Sequence, residues 1–256
     1  MKCAVIISGQ PRNVQECYQN IYDNIIEPNN ADVFLHAWID PEMAGKPYIA
    51  DWVKPEAIVV QKDDPNKYND IASNPVPENV QDIILSLYKP NQYMFERPKK
   101  FEYDPILEVR RTGFYEPQNS FSFFYSMYMA NQQRLKYQLK NNIIYDKIMR
   151  IRFDNIFQKP FLFKDLKTEN TITIPAEYND PKSEGYQPDQ MGMSDRWCVA
   201  DDYAMSRYTE LYLHIEDMVK NNEVIVYNEL MIGYWVRKKI RLNIERSYHP
   251  YYLKRT

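Results

Sequence analysis

The chain has 256 residues, of which 44% are hydrophobic and 26% charged, with a formal net charge of -3. That length accommodates one large α/β domain, the apolar content excludes a disordered chain, and the interspersed charges give no basic footprint for nucleic acid. No apolar stretch reaches a signal-peptide core or the ~20 residues of a membrane span, and the three cysteines, Cys3, Cys17 and Cys198, lack CxxC spacing. The expectation is a cytoplasmic protein with reduced thiols and no transmembrane segment.

In chain order, Cys3 to Ile7 is a short apolar block followed at once by Ser8, Gly9 and Pro11. A helical pattern starts near Asn13, with Val14, Cys17, Tyr18, Ile21, Tyr22 and Ile25 on one face. Residues 31–38 and 57–60 read as buried strands. From 62 to 118 Pro, Asn, Asp and Lys dominate and only 80–88 reads as helix, which predicts an insertion or lid. A long helix over 120–141 turns Phe124, Met127, Tyr128, Leu135 and Leu139 toward a core. Residues 147–154 alternate apolar and basic side chains into Asp154. Strands follow at 172–174 and 197–200, helices at 201–219 and 227–238, and a last strand at 240–244 before a polar tail. Strands alternating with helices predict a central, mostly parallel mixed sheet flanked by helices, with ligands at the carboxyl ends of the strands.

The loop Ser8-Gly9-Gln10-Pro11-Arg12-Asn13 leaves a strand and opens a helix, where unpaired N–H groups and the helix dipole favour an anion. Ser8, Gly9, Gln10, Arg12 and Asn13 are therefore candidate phosphate contacts, a capped turn being the alternative. Neither GxGxxG nor GxxxxGK[ST] is present, so the dinucleotide fingerprint and the P-loop are unsupported. Further on, a period of two places Arg150, Arg152 and Asp154 on one strand face. That face suits a diphosphate held with a divalent cation, which bridges Asp154 to the phosphates while the arginines neutralise the rest. A surface strand with an internal salt bridge is the alternative. His214 lies mid-helix and His36 on a buried strand, and both read as structural.

The opening Ile6-Ile7-Ser8-Gly9-Gln10-Pro11-Arg12, the strand Phe34-Leu35-His36-Ala37-Trp38, the helix start from Ser122 to Tyr128 and, above all, Arg150-x-Arg152-x-Asp154 resemble small GT-A-type glycosyltransferases. Such proteins are encoded in bacterial surface-polysaccharide clusters and by large DNA viruses, and the similarity spans nearly the whole chain apart from 62–118. It implies a single GT-A-like (nucleotide-diphospho-sugar transferase) α/β domain over 1–256. Within it, 1–61 is the nucleotide-binding half, 62–118 the insertion or lid, and 119–256 the metal and acceptor half with a closing C-terminal tail.

The resemblance also implies roles for single residues. Arg152-Phe153-Asp154 stands where a DxD motif would be, with Arg152 in place of the first acidic residue. Gly192-Met193-Ser194-Asp195 stands for a Gly-containing loop, Asn228-Glu229 opens a helix, and His249 matches a late histidine. The implied cofactor is Mn²⁺ or Mg²⁺ held by Asp154 and His249. The donor is a nucleotide diphosphate sugar on the first loop, Arg150, Arg152 and Asp154, and Glu229 or Asp195 is the catalytic base of an inverting reaction. The implied function is hexosyl or pentosyl transfer to a glycan, glycoprotein or other hydroxyl acceptor. A nucleotidyltransferase is one alternative, disfavoured by a first loop poor in Gly and Lys. A non-catalytic carbohydrate- or partner-binding domain is the other, supported by the missing acidic residue.

Overall fold

The computed structural model describes residues 1–49, 72–112, 116–167, 169–176 and 192–254. Its strands are Cys3–Gly9 (β1), Ala31–Trp38 (β2), Pro47–Ile49 (β3), Ala72–Pro75 (β4), Gln92–Glu96 (β5), Lys147–Ile151 (β6), Asn155–Phe157 (β7), Thr171–Pro175 (β8), Cys198–Ala200 (β9), Asn243–Ser247 (β10) and Tyr251–Leu253 (β11). Among the described residues one seven-stranded sheet runs β10-β8-β9-β6-β1-β2-β5. Its neighbours are parallel except at β9, which is antiparallel to both β6 and β8. The protein is thus a mixed α/β fold with helices over a mostly parallel sheet. No helix among the described residues is long and apolar enough to cross a membrane.

β1 and β2 are near-continuous apolar runs because both faces are covered. Ala4, Ile6 and Phe34 share a core with Phe124 and Met127 of the long helix Pro117–Asn141. On the other face Val5, Ile7, Val33 and Leu35 share one with Val14, Cys17 and Ile21 of the helix Val14–Ile21 (α1). Leu139 does not join the core as expected and is 87% exposed. Asn131, Arg134 and Gln138 fill the buried stripe instead, and the Arg134 guanidinium pairs with Asp202 and donates to Ser206 Oγ.

The expected helix over 201–219 is broken, running Asp202–Thr209, a 3₁₀ stretch Glu210–His214 and Ile215–Lys220. The one near 227–238 is Asn228–Tyr234 followed by a π-helical turn Trp235–Lys239. The last sheet strand begins at Asn243 rather than 240, because Arg241 takes a left-handed φ of 54° after the helix. Within 62–118 the structure adds an element not expected there. β5 is the edge strand of the main sheet, registered from Phe34 opposite Gln92 to Trp38 opposite Glu96. The strand expected at 57–60 lies outside the described residues.

Candidate functional site

The carboxyl ends of β1 and β6 lie side by side, with Ile6 opposite Arg150 and Ile7 opposite Ile151. Alternation sends Ile6, Ser8 and Arg150 toward the long helix. There the Arg150 guanidinium stacks 4.8 Å from the Phe123 ring centroid and its Nε donates to Ser8 Oγ at 3.3 Å. Its Nη1 donates to the Asp195 carbonyl. That contact follows from topology: β9 runs against β6, with Arg150 opposite Cys198, so the segment entering β9 is delivered to the carboxyl end of β6. Arg150 is only 1% exposed, yet its partners among the described residues are a hydroxyl, a carbonyl and an aromatic face, not a carboxylate. Burial pushes its pKa below the ordinary arginine value, opposed by the fields of Tyr208 and Asp195. A buried cation without a counter-ion costs several kcal/mol, which an anionic ligand would recover.

β6 ends at Ile151, so Arg152 and Asp154 do not continue the face that carries Arg150, contrary to the expected alternation. The chain turns, with the Arg152 N–H donating to Asn155 Oδ1 at 2.8 Å. Arg152 then forks onto Asp154, Nε to Oδ1 and Nη2 to Oδ2, both at 2.8 Å. Asp154 is 1% exposed, so the carboxylate faces inward and the guanidinium lies outside it. Burial above all, helped by the Asp154 charge, raises the neighbouring Cys17 thiol to about 12.

In the first loop Gly9 has φ 115°, a conformation costly for any side chain. Gln10 Oε1 accepts from Arg12 Nε at 3.0 Å, and the Arg12 guanidinium sits 5.7 Å over Tyr48. Asn13, expected among the phosphate contacts, is a fastener instead. It is buried at a left-handed φ of 50°, its Nδ2 donates to the Lys254 carbonyl at 2.9 Å and its Oδ1 accepts the Asn74 N–H at 2.8 Å.

Gly192 and Met193 run against Glu229, where a Cβ on Gly192 would stand 3.7 Å from the Glu229 Cβ and the Met193 N–H donates to the Glu229 carbonyl at 2.9 Å. Glu229 is buried and Asp195 half-buried. Ser8, Arg150, Gly192–Asp195 and Glu229 therefore form one chain of contacts.

His249 has a packing role that the sequence did not reveal. Its Nε2 donates to the Lys159 carbonyl at 2.9 Å, and its ring stands edge-on 4.6 Å from Phe161. Burial lowers its pKa from 6.5, partly offset by that hydrogen bond. The tail around it is held by the chain's own pairing rather than waiting for a donor to order it. β11 is antiparallel to β7, and the Lys254 N–H donates to the Asp154 carbonyl at 2.8 Å.

These partners do not fit the expected divalent cation. Both Asp154 oxygens accept from Arg152, the His249 Nε2 is committed to a carbonyl, and no group of three His, Cys, Asp or Glu suited to a metal exists among the described residues.

Sequence reasoning missed Glu96 and its partners. Its Oε2 accepts from His36 Nε2 at 2.9 Å and from the Tyr125 hydroxyl at 2.8 Å, and Lys99 Nζ lies 3.5 Å from Oε1. Burial works against the Glu96 charge, but the His36 and Tyr125 hydrogen bonds prevail and its pKa falls. His36, as expected, is a hydrogen-bonded core histidine, with Nδ1 2.8 Å from Ser126 Oγ and its pKa lowered by burial. A histidine inside an apolar strand demands such partners, and that demand was the available signal.

No family model matches the chain, and no curated protein matches it at the significance required. Among solved structures the chain is similar to the apo-form glycosyltransferase GlyE of Streptococcus pneumoniae TIGR4, at 8% identity with a TM-score of 0.43, over 95% of this chain and 44% of that one. The chain thus spans less than half the length of that protein.

Proposed function

We propose that the chain transfers a glycosyl group from a nucleoside diphosphate sugar to a hydroxyl of a glycan or similar acceptor. The observation that carries this reading is Arg150, a buried guanidinium with no carboxylate against it among the described residues, at the carboxyl edge of β1 and β6. Ligands of open α/β sheets bind at that edge. Breaking the bond between the sugar and the phosphate oxygen leaves negative charge on the diphosphate. Fixed donors aimed at that charge lower the barrier. Arg150 is held for this by Ser8, the Asp195 carbonyl and Phe123, with Arg12 and the start of α1 on the adjoining loop. The acceptor hydroxyl loses its proton as it attacks. Asp195, anchored to Arg150 through its own backbone, and Glu229, set against Gly192, are the carboxylates that can take it.

The test is a panel of nucleotide sugars incubated with the wild-type chain and with Arg150→Met, reading donor hydrolysis, transfer and thermal stabilisation. Turnover of one donor that vanishes in the variant supports the reading. Stabilisation without turnover would make the chain a binding domain, and no response to any donor would refute the proposal.

A further inference from the structure

We infer that this chain meets the charge of a bound diphosphate with guanidinium groups and holds no resident divalent cation at the β6–β7 turn. The inference rests on the function proposed above. It begins with what the turn offers a ligand. Asp154 is the acidic residue at the end of the Arg-x-Arg-x-Asp run, and its two oxygens accept in parallel from one planar guanidinium, both at 2.8 Å. Such fork-on-carboxylate geometry uses the same lone pairs that a hard cation would need. The Asp154 side chain is 2% exposed and that of Arg152 20%, so a ligand approaching from solvent meets a cation before it meets the carboxylate.

The charge count leads the same way. Arg152 and Asp154 cancel, whereas Arg150 is buried with no carboxylate within ion-pair distance among the described residues, the Asp195 charge acting on it from further off, so these three groups together are positive. A divalent ion there would add to a positive site, and a diphosphate would neutralise one. The tail fixes the arrangement from below. The Lys254 N–H donates to the Asp154 carbonyl while the Lys254 carbonyl accepts from Asn13, directly after β11 pairs with β7. His249, the other expected ligand, spends its Nε2 on the Lys159 carbonyl and packs edge-on against Phe161.

The experiment is calorimetric titration of ADP, CDP, GDP, UDP and dTDP into the full chain, once in excess EDTA and once in Mn²⁺. The expected result is that the best of these binds in EDTA with a Kd within about threefold of its value in Mn²⁺. In addition, Arg152→Lys, which keeps the charge but loses the fork, should weaken binding in EDTA by about tenfold or more. A Kd that rises more than about tenfold on removing Mn²⁺ would overturn the inference while leaving the proposed function standing. Failure of all five diphosphates to bind under both conditions would overturn both. The wild-type comparison decides the matter even where Arg152→Lys is poorly folded.

Discussion

Replacing Arg150 by Met should separate ligand binding from stability. The substitution keeps a long side chain against Phe123 and removes a buried charge that, among the described residues, no carboxylate pairs directly. Exchanging buried ionic groups for apolar ones of similar volume ranges from neutral to about 4 kcal/mol stabilising. Against this, Ser8 Oγ and the Asp195 carbonyl each lose a donor. An unmade buried hydrogen bond costs about 1–3 kcal/mol. The cation–π contact gives way to a sulfur–aromatic one of similar size. The midpoints of these ranges, about 2 kcal/mol gained and about 4 kcal/mol lost, leave a net loss of about 2 kcal/mol, or about 4–8 °C in Tm. A ligand at about 100 times its Kd stabilises the wild type by about 2.7 kcal/mol, and the variant should lose that response entirely. Urea denaturation with and without the best nucleoside diphosphate measures both. A loss of 3–5 kcal/mol without ligand, the signature of a broken buried ion pair, would refute the reasoning, as would an unchanged ligand response.

Other outcomes follow from the clasp at the site's edge. Asn13→Ala should cost about 3–4 kcal/mol, combining a left-handed residue with two lost hydrogen bonds, whereas Asn13→Gly should recover the backbone part, as read from urea midpoints. Ending the chain after Ser247 should lower stability by about 3 kcal/mol or more, because Tyr251 packs against Trp197 and β11 covers β7; an unchanged melt would show that the tail contributes little. His36 and His249 both have pKa values depressed by burial below 6.5, so the unfolded chain binds more protons and stability should fall as pH drops through 6.5 and below. Midpoints that stay flat over that range, or a slope unchanged in His249→Gln, would contradict those assignments.

The parallel core was legible because its strands are buried on both faces and so read as plain apolar blocks: residues 3–7, 31–38 and 147–151 needed no tertiary information. Gln92–Glu96 was not, since an edge strand of alternating Gln-Tyr-Met-Phe-Glu in a polar stretch carries little periodic signal. At the site, Arg150 was singled out by its place near a strand end, whereas the approach of Gly192 and Met193 to Glu229 is a tertiary contact that residue order does not give. What stayed hidden was where the strand ends. Alternation holds only while the backbone remains extended, and the turn after Ile151 converted Arg152 and Asp154 from neighbours on a face into partners in a fork. His249 was misjudged for a related reason, since a polar tail gives no hint that it will pair with a strand nearly a hundred residues upstream.

The Asn13 clasp also bears on the order in which the molecule comes together. Its two bonds reach across 61 and 241 positions of sequence. During synthesis every strand of the main sheet, through Ser247, has been made before Lys254 exists. The loop after β1 therefore acquires this restraint only after all of those strands. Contacts this distant along the chain form late. A nascent chain can thus hold a largely complete sheet while the loop after β1 is still unfastened, and that loop is pinned only once Lys254 has been made and folded back.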